Sequence, residues 1–207
     1  MNLAHRWLCR SGFWRQTVER YVFPWVLEGV ELGPEILEIG PGPGVTTDLL
    51  RQRALRLTCV EIDPAVAGSL ARRLAGTNVT VQCEDATALS QPDSTFDGAL
   101  SFTMLHHVQS AALQDRLLAE VSRVLRPGGI FAGADSIYSP SLRLLHMFDT
   151  MVLVDPRSFP ARLEAAGFTD IRVDVNEYAF RFRARADKGA RADAFRNNLP
   201  NMSRTSS

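Results

Sequence analysis

The sequence predicts an α/β domain: a doubly wound, mostly parallel seven-stranded sheet with an antiparallel hairpin at one edge. Three observations predict it. Short apolar runs alternate with amphipathic stretches of helical period. A glycine-rich turn joins the first strand to the helix after it. Near the end, two strand-like runs follow each other with no helix between them, which makes an antiparallel pair.

The first five runs are Glu35–Ile39, Leu57–Glu61, Val79–Glu84, Phe96–Phe102 and Gly129–Asp135. Helical patterns separate them. Val45–Gln52 follows the glycine turn. Pro64–Ala75 has Asp63 placed as its N-cap and Pro64 at its first position. Ser110–Leu125 sets Ala111, Leu113, Leu117, Leu118, Val121 and Leu125 close to a 3.6 period, and Arg126-Pro127-Gly128-Gly129 stops it. Strands alternating with helices imply right-handed crossovers and a parallel sheet. Ser158–Ala166 is the last helix, ended by Gly167, and Phe168–Val175 with Glu177–Arg185 form the hairpin. The predicted domain spans 35–186. Residues 1–34, with Trp7, Phe13, Trp14, Tyr21, Phe23 and Trp25, are expected to lie on it as helices. Residues 187–207 lack apolar periodicity and are expected to be disordered.

Composition narrows the classes. A chain of 207 residues, 45% apolar, suits one core. No window approaches 18 uninterrupted apolar residues and the N-terminus has no signal-type run, so a membrane span is excluded and a cytoplasmic location is expected. Cys9, Cys59 and Cys83 form no Cys-x-x-Cys pair. Cys59 and Cys83 fall in strand-like runs and read as reduced core residues, and no metal site is expected. The net charge is zero but uneven. From Arg181 onward seven basic residues face only Asp187 and Asp193. Lys188 is the only lysine, a usage that points to a GC-rich genome, so nucleic acid is not the expected partner.

The most informative segment is Ile36-Leu37-Glu38-Ile39-Gly40-Pro41-Gly42-Pro43-Gly44-Val45-Thr46-Thr47. A dinucleotide fingerprint places its third glycine where this chain has Val45, and Pro41 and Pro43 lack the N–H groups a pyrophosphate uses. The loop suits a smaller zwitterionic ligand, and Glu38 at the strand end suits an ammonium group.

Glu38-x-Gly40-x-Gly42-x-Gly44 resembles the first motif of the class I S-adenosylmethionine-dependent methyltransferases. The resemblance covers about residues 35–185 and is nearest the small-molecule branch, including the methyltransferases of quinone biosynthesis. It implies a Rossmann-like methyltransferase fold, S-adenosylmethionine as cofactor and a small-molecule methyl acceptor. The loop, with Glu38, Gly40, Pro41, Gly42 and Gly44, would wrap the methionine part. Glu61 would accept the ribose hydroxyls and Ile62 would pack on adenine. Asp85 would accept the adenine amino group, with Ala86 leaving room beside the ring. Ser101 and Phe102 complete the cofactor set at the end of the fourth strand.

Methyl transfer from a sulfonium is an in-line displacement, and a base is needed only if the acceptor must lose a proton. His106 at the end of strand four and Asp135 at the end of strand five are the candidate catalytic residues. His107 reads as a loop residue, and Tyr138 and His146 are weaker candidates. The apolar stretch 139–157 is either a lid for a hydrophobic or aromatic acceptor, or a helix packed on the core, or a homodimer contact. Competing readings are an RNA or protein methyltransferase using the Arg-rich tail, and a non-catalytic cofactor-binding domain.

Overall fold

In a computed structural model, residues 7–8, 11–147 and 149–187 are described. The predicted disordered tail lies, apart from Asp187, outside the described residues, as does Cys9. The strands are β1 (Glu35–Ile39), β2 (Arg56–Glu61), β3 (Val79–Cys83), β4 (Phe96–Phe102), β5 (Leu125–Ser136), β6 (Phe168–Val175) and β7 (Ala179–Ala186). The helices are α1 (Gly12–Thr17), α2 (Phe23–Leu27), α3 (Val45–Leu50), α4 (Pro64–Arg73), α5 (Ala111–Val124), α6 (Pro140–Leu145) and α7 (Phe159–Ala165). The seven strands form one sheet in the order β3-β2-β1-β4-β5-β7-β6. The first five run parallel, and β7 pairs antiparallel with both β5 and β6. The fold class is the one the sequence predicts.

Local chemistry sets the boundaries. Asp63 caps α4 by accepting from the backbone N–H groups of Ala65 and Val66 at 2.9 and 3.2 Å, as expected. Ser110 caps α5 through Leu113 at 3.2 Å. Strand β5 begins earlier than predicted. Leu125 pairs with Phe96 and Ile130 with Gly98, so the predicted stop Arg126–Gly129 is an outward bulge within the strand. Arg126 pairs with Asp97 across it. A π turn, Val18–Val22, joins α1 to α2. Pro24 has no N–H to give and its ring crowds the preceding turn, and the wider turn relieves both.

Period two along the strands divides the core. Leu37, Ile39, Ala99 and Phe131 pack under α5 and α7 on one face. Ile36, Leu57, Cys59, Leu100 and Phe102 pack on the other face, under Val18, Phe23, Val26 and Leu27 of the N-terminal helices. Cys59 is the small core residue expected, whereas Cys83 is exposed at the end of edge strand β3. The hairpin is held by aromatic rings: Phe182 meets Phe131 at 4.9 Å and Phe159 at 5.1 Å between centroids, both edge to face.

The sheet order reverses between β1 and β4, and the crevice beyond the C-terminal ends of those strands is the place for a ligand in an open α/β sheet.

Gly133, in mid-β5, is the tightest point of the sheet. A methyl group there would strike the carbonyl oxygen of Ser101 and lie 2.7 Å from the Phe182 ring. Gly133→Ala is expected to destabilise the fold by about 1–3 kcal/mol. The check is urea unfolding, which should give a lower midpoint at unchanged slope.

Candidate active site

The crevice opens into a cavity of about 630 Å³, within the range of small-molecule sites. The β1–α3 loop forms one wall. Gly40, Gly42 and Gly44 all have positive φ, at 65, 54 and 87°. At Gly40 a side chain would also collide with Met104. The loop is tied down from β2. Glu61 accepts from Gly42 N at 3.1 Å with one carboxylate oxygen and from Asp63 N at 3.0 Å with the other. Each oxygen keeps a lone pair, so the carboxylate still has acceptor capacity. Ile62 next to it is 67% exposed on the cavity rim, an apolar surface that a flat ring can cover.

Of the residues expected to hold the cofactor, Gly40, Pro41, Gly42, Glu61, Ile62, Asp85, Ala86 and Phe102 line the cavity. Glu38, Gly44 and Ser101 do not. Glu38 is 1% exposed and faces into the sheet, where it accepts from the hydroxyls of Thr46 and, at 2.6 Å, Thr47. Instead of facing an ammonium group it ties α3 to β1. Burial pushes its carboxyl above the ordinary range, and the threonine hydrogen bonds pull partly against that. Gly44 accepts from Arg73 at 3.3 Å and approaches α4, which fixes the end of the loop. The Ser101 hydroxyl is buried in the sheet without a hydrogen-bond partner. Asp85 is exposed at the rim and accepts from Thr87 N at 2.8 Å.

The opposite wall carries the histidines. After β4 the chain turns through Thr103, a non-glycine residue at φ 49°, into a 3₁₀ turn, Leu105–His107. His106 is buried and lines the cavity, and its Nδ1 pairs with the Asp135 carboxylate. The other carboxylate oxygen accepts from His106 N at 3.0 Å, and Ser136 N donates to the first at 2.6 Å. Asp135 itself has no surface in the cavity, so it reaches the site only through His106.

His146, just after α6, brings its Nε2 to 3.1 Å from that of His106, and its Nδ1 lies 2.9 Å from the Leu142 carbonyl oxygen. Burial lowers the His146 pKa from its ordinary value. The His107 ring lies 4.2 and 5.1 Å from the other two rings, centroid to centroid. In the sequence His107 reads as a loop residue and His146 as a weaker candidate base, and cysteine spacing points to no metal site. Nothing in the primary structure signals that residues 40 apart meet ring to ring.

Five described residues of the stretch 139–157 reach this wall. Leu142, Leu145 and His146 line the cavity, as do Asp149 and Thr150. Val152 N donates to His106 O at 2.8 Å, and Gln114 donates to Leu105 O at 3.0 Å and Val152 O at 2.7 Å. Gln114, buried on α5, is a positioning residue that the helical pattern hid. The N-terminal helices close the remaining side with Trp14, Val18 and Val22.

A doubly wound sheet with a glycine loop and a strand-end acid at its switch point defines a Rossmann-like small-molecule-binding domain. Residues 37–133 match the family model of the methyltransferase domain. A probable S-adenosylmethionine-dependent methyltransferase of Mycolicibacterium smegmatis is 30% identical over 99 residues, 48% of this chain and 37% of that one. A ubiquinone biosynthesis O-methyltransferase of Pseudomonas fluorescens is 27% identical over 133 residues, 61% of this chain and 56% of that one. This chain therefore spans about a third to a half of these curated relatives. Among solved structures, a SAM-dependent methyltransferase from Aquifex aeolicus superposes with a TM-score of 0.66 at 19% identity, over 83% of this chain and 93% of that one. Over residues 37–133 the chain is thus similar to methyltransferase domains of the S-adenosylmethionine-dependent type. No helix among the described residues is long and apolar enough to cross a membrane.

The expected basic tail is partly strand. Arg181 pairs with Glu28 at 2.7 Å and Asp174 at 2.9 Å, Arg183 donates to Gly29 O at 3.1 Å, and Arg185 donates to Gly128 O at 3.0 Å. These three side chains brace β7 against its neighbours. Lys188, Arg191, Arg196 and Arg204 lie outside the described residues.

The raised Glu38 carboxyl has a consequence for stability. Its contribution is complete below the ordinary value of 4.5 and is lost as pH rises through the folded-state value. Relative to Glu38→Gln, the native protein is expected to lose stability as pH rises from about 4.5, by at most about 1.4 kcal/mol per pH unit. Urea unfolding of both proteins across that range checks it, and a constant difference would contradict it.

Proposed function

We propose that this protein transfers the methyl group of S-adenosylmethionine to a small acceptor with an apolar body and a polar reacting end. The observation that carries the reading is that one cavity joins the glycine loop and Glu61 to His106 and its Asp135 partner. When bound, S-adenosylmethionine supplies an activated methyl group on a sulfonium. Gly40 and Gly42 admit the cofactor's backbone-hugging part, the spare acceptor capacity of Glu61 suits ribose hydroxyls, and Ile62 and Ala86 flank a flat ring. Asp85 at the same rim suits an exocyclic amino group.

The acceptor half of the cavity has Met104, Val108, Leu113, Leu117, Leu142 and Leu145 around the histidines. Apolar walls with a few convergent polar groups suit a phenol, quinol or similar hydrophobic molecule. His106 meets the polar end of that molecule, and Asp135 is a positioning residue that holds the imidazole in one orientation. Holding acceptor and methyl carbon in line can supply up to roughly 7–11 kcal/mol of barrier lowering. The stretch 139–157 serves as the acceptor wall.

Two measurements test the reading. S-adenosylhomocysteine should raise thermal stability, by about 2.7 kcal/mol at a hundredfold excess over its dissociation constant, and Glu61→Ala should lose that shift. NAD⁺ should give none. A shift with NAD⁺ alone would overturn the proposal. In an acceptor screen begun with hydrophobic phenols and quinols, Asp135→Asn should keep the S-adenosylhomocysteine shift but lose about 10²-fold in kcat. Unchanged turnover would remove His106 and Asp135 from the mechanism.

A further inference from the structure

We propose that His106, His107 and His146 form a binding site for one divalent transition-metal ion, with zinc as the probe, at the acceptor end of the cavity. The metal site stands on its own geometry; its use toward the acceptor rests on the methyl-transfer reading above.

Each of the three residues offers a ring nitrogen, and the three nitrogens lie within 4.8 Å of one another. Neutral imidazole is a donor set that suits zinc, copper, iron or nickel. Tetrahedral zinc with Zn–N bonds of about 2.0–2.1 Å sets its nitrogens roughly 3.3 Å apart. The Nε2 atoms of His106 and His146 are 3.1 Å apart, so these two ligands are nearly in place. His107, half-buried on the same 3₁₀ turn, needs only a modest ring movement to join them.

The surroundings support the same assignment. Metal-bound histidines usually donate their second ring N–H to a carboxylate or a backbone carbonyl. His106 has Asp135 at its Nδ1 and His146 has the Leu142 carbonyl oxygen at 2.9 Å. Those partners place the ring hydrogens on Nδ1, so the two Nε2 lone pairs point at each other. With the Asp135 carboxylate ionised, a proton or a metal ion between the two nitrogens relieves that repulsion. A shared proton needs two rings. The third ring, 4.2 and 5.1 Å from the others by centroid, favours the metal.

All three histidines line the cavity, so a three-histidine site leaves a coordination position facing it. An acceptor hydroxyl bound there would meet His106 through the ion and would release its proton to solvent water more easily, because the cation stabilises the oxyanion. The ion's charge is partly offset by the Asp135 carboxylate behind His106.

The test uses untagged full-length protein, stripped with chelator, dialysed against zinc and assayed by elemental analysis, with cobalt as an optical reporter. One equivalent is expected. His107→Ala and His146→Ala should each abolish stoichiometric binding, and Asp135→Asn should weaken it about 10–100-fold. The S-adenosylhomocysteine thermal shift certifies the fold of each variant, and if His146→Ala does not fold, His107→Ala decides. Failure to bind one equivalent, or zinc retained by His107→Ala, overturns the metal site and leaves a shared proton between two rings. A thermal shift without zinc refutes this inference alone, whereas zinc without a shift sustains it and refutes the methyl-transfer reading.

Discussion

The candidate site depends on one buried carboxylate. Asp135 is fully enclosed at the end of β5, where an unpaired charge would cost several kcal/mol. It is tolerated because three donors converge on it: the His106 backbone N–H, the His106 ring and the Ser136 backbone N–H. Two of the three belong to one residue of the neighbouring connection. Satisfying Asp135 therefore fixes both the backbone and the ring of His106. Thr103, held at a costly positive φ, is where the chain turns to allow it, and its N–H bonded to Ala134 O at 2.7 Å secures the turn. Hydrogen bonds then pass this order to Val152 through the His106 carbonyl and Gln114. The wall that faces an acceptor is thus anchored to the sheet through polar groups.

The cofactor half follows a different logic. Its loop is shaped by glycine backbone and tied at two points, to Glu61 from the cavity side and to Glu38 from the sheet side through Thr46 and Thr47. The two acids sit on adjacent parallel strands and on the same face of the sheet: Glu38 pairs in register with Cys59, and Glu61 lies two residues further along β2, beyond the last pair with β1. Glu38 falls on the face that holds Ile36 and Cys59, whereas Ile39 beside it reaches the cavity. An acid at a strand end looks like a ligand in the sequence, but how far it lies beyond the neighbouring strand decides between ligand and strut.

That dependence on a neighbouring strand bears on how much of the molecule is legible in the sequence. The alternation of strands and helices, the edge hairpin and the cap at Asp63 follow from local pattern and spacing, and the resemblance carried by the glycine loop points to Glu61, Ile62 and Asp85. Each is a property of a short segment, and short segments carry their own signals. Arg126–Gly129 does follow the end of the helix at Val124, but the opening of β5 at Leu125 is hidden there, because proline and glycine mark both a helix end and a strand irregularity. Cys83 was misplaced because an edge strand keeps an apolar pattern while one face stays open. The histidine cluster was illegible for another reason. His106 and His146 meet only because β5 and the segment after it return over the end of β4, a product of the crossover and not of either segment.

The division of labour within the cavity explains why the domain type was easier to reach than its acceptor. The cofactor wall draws on β1, β2 and β3, whose parallel pairing sets the positions of Gly40, Glu61 and Asp85 relative to one another. The acceptor wall draws on the 3₁₀ turn and on residues 139–157, where α6 has only six residues and Leu144 and Met147 remain exposed. A segment built that way can change its side chains without disturbing the sheet. What it must keep is the contact of Val152 with His106 and of His146 with the same ring. Under the proposed function, acceptor choice resides in Leu142, Leu145 and their neighbours, while the histidines and Asp135 set what chemistry an acceptor meets there.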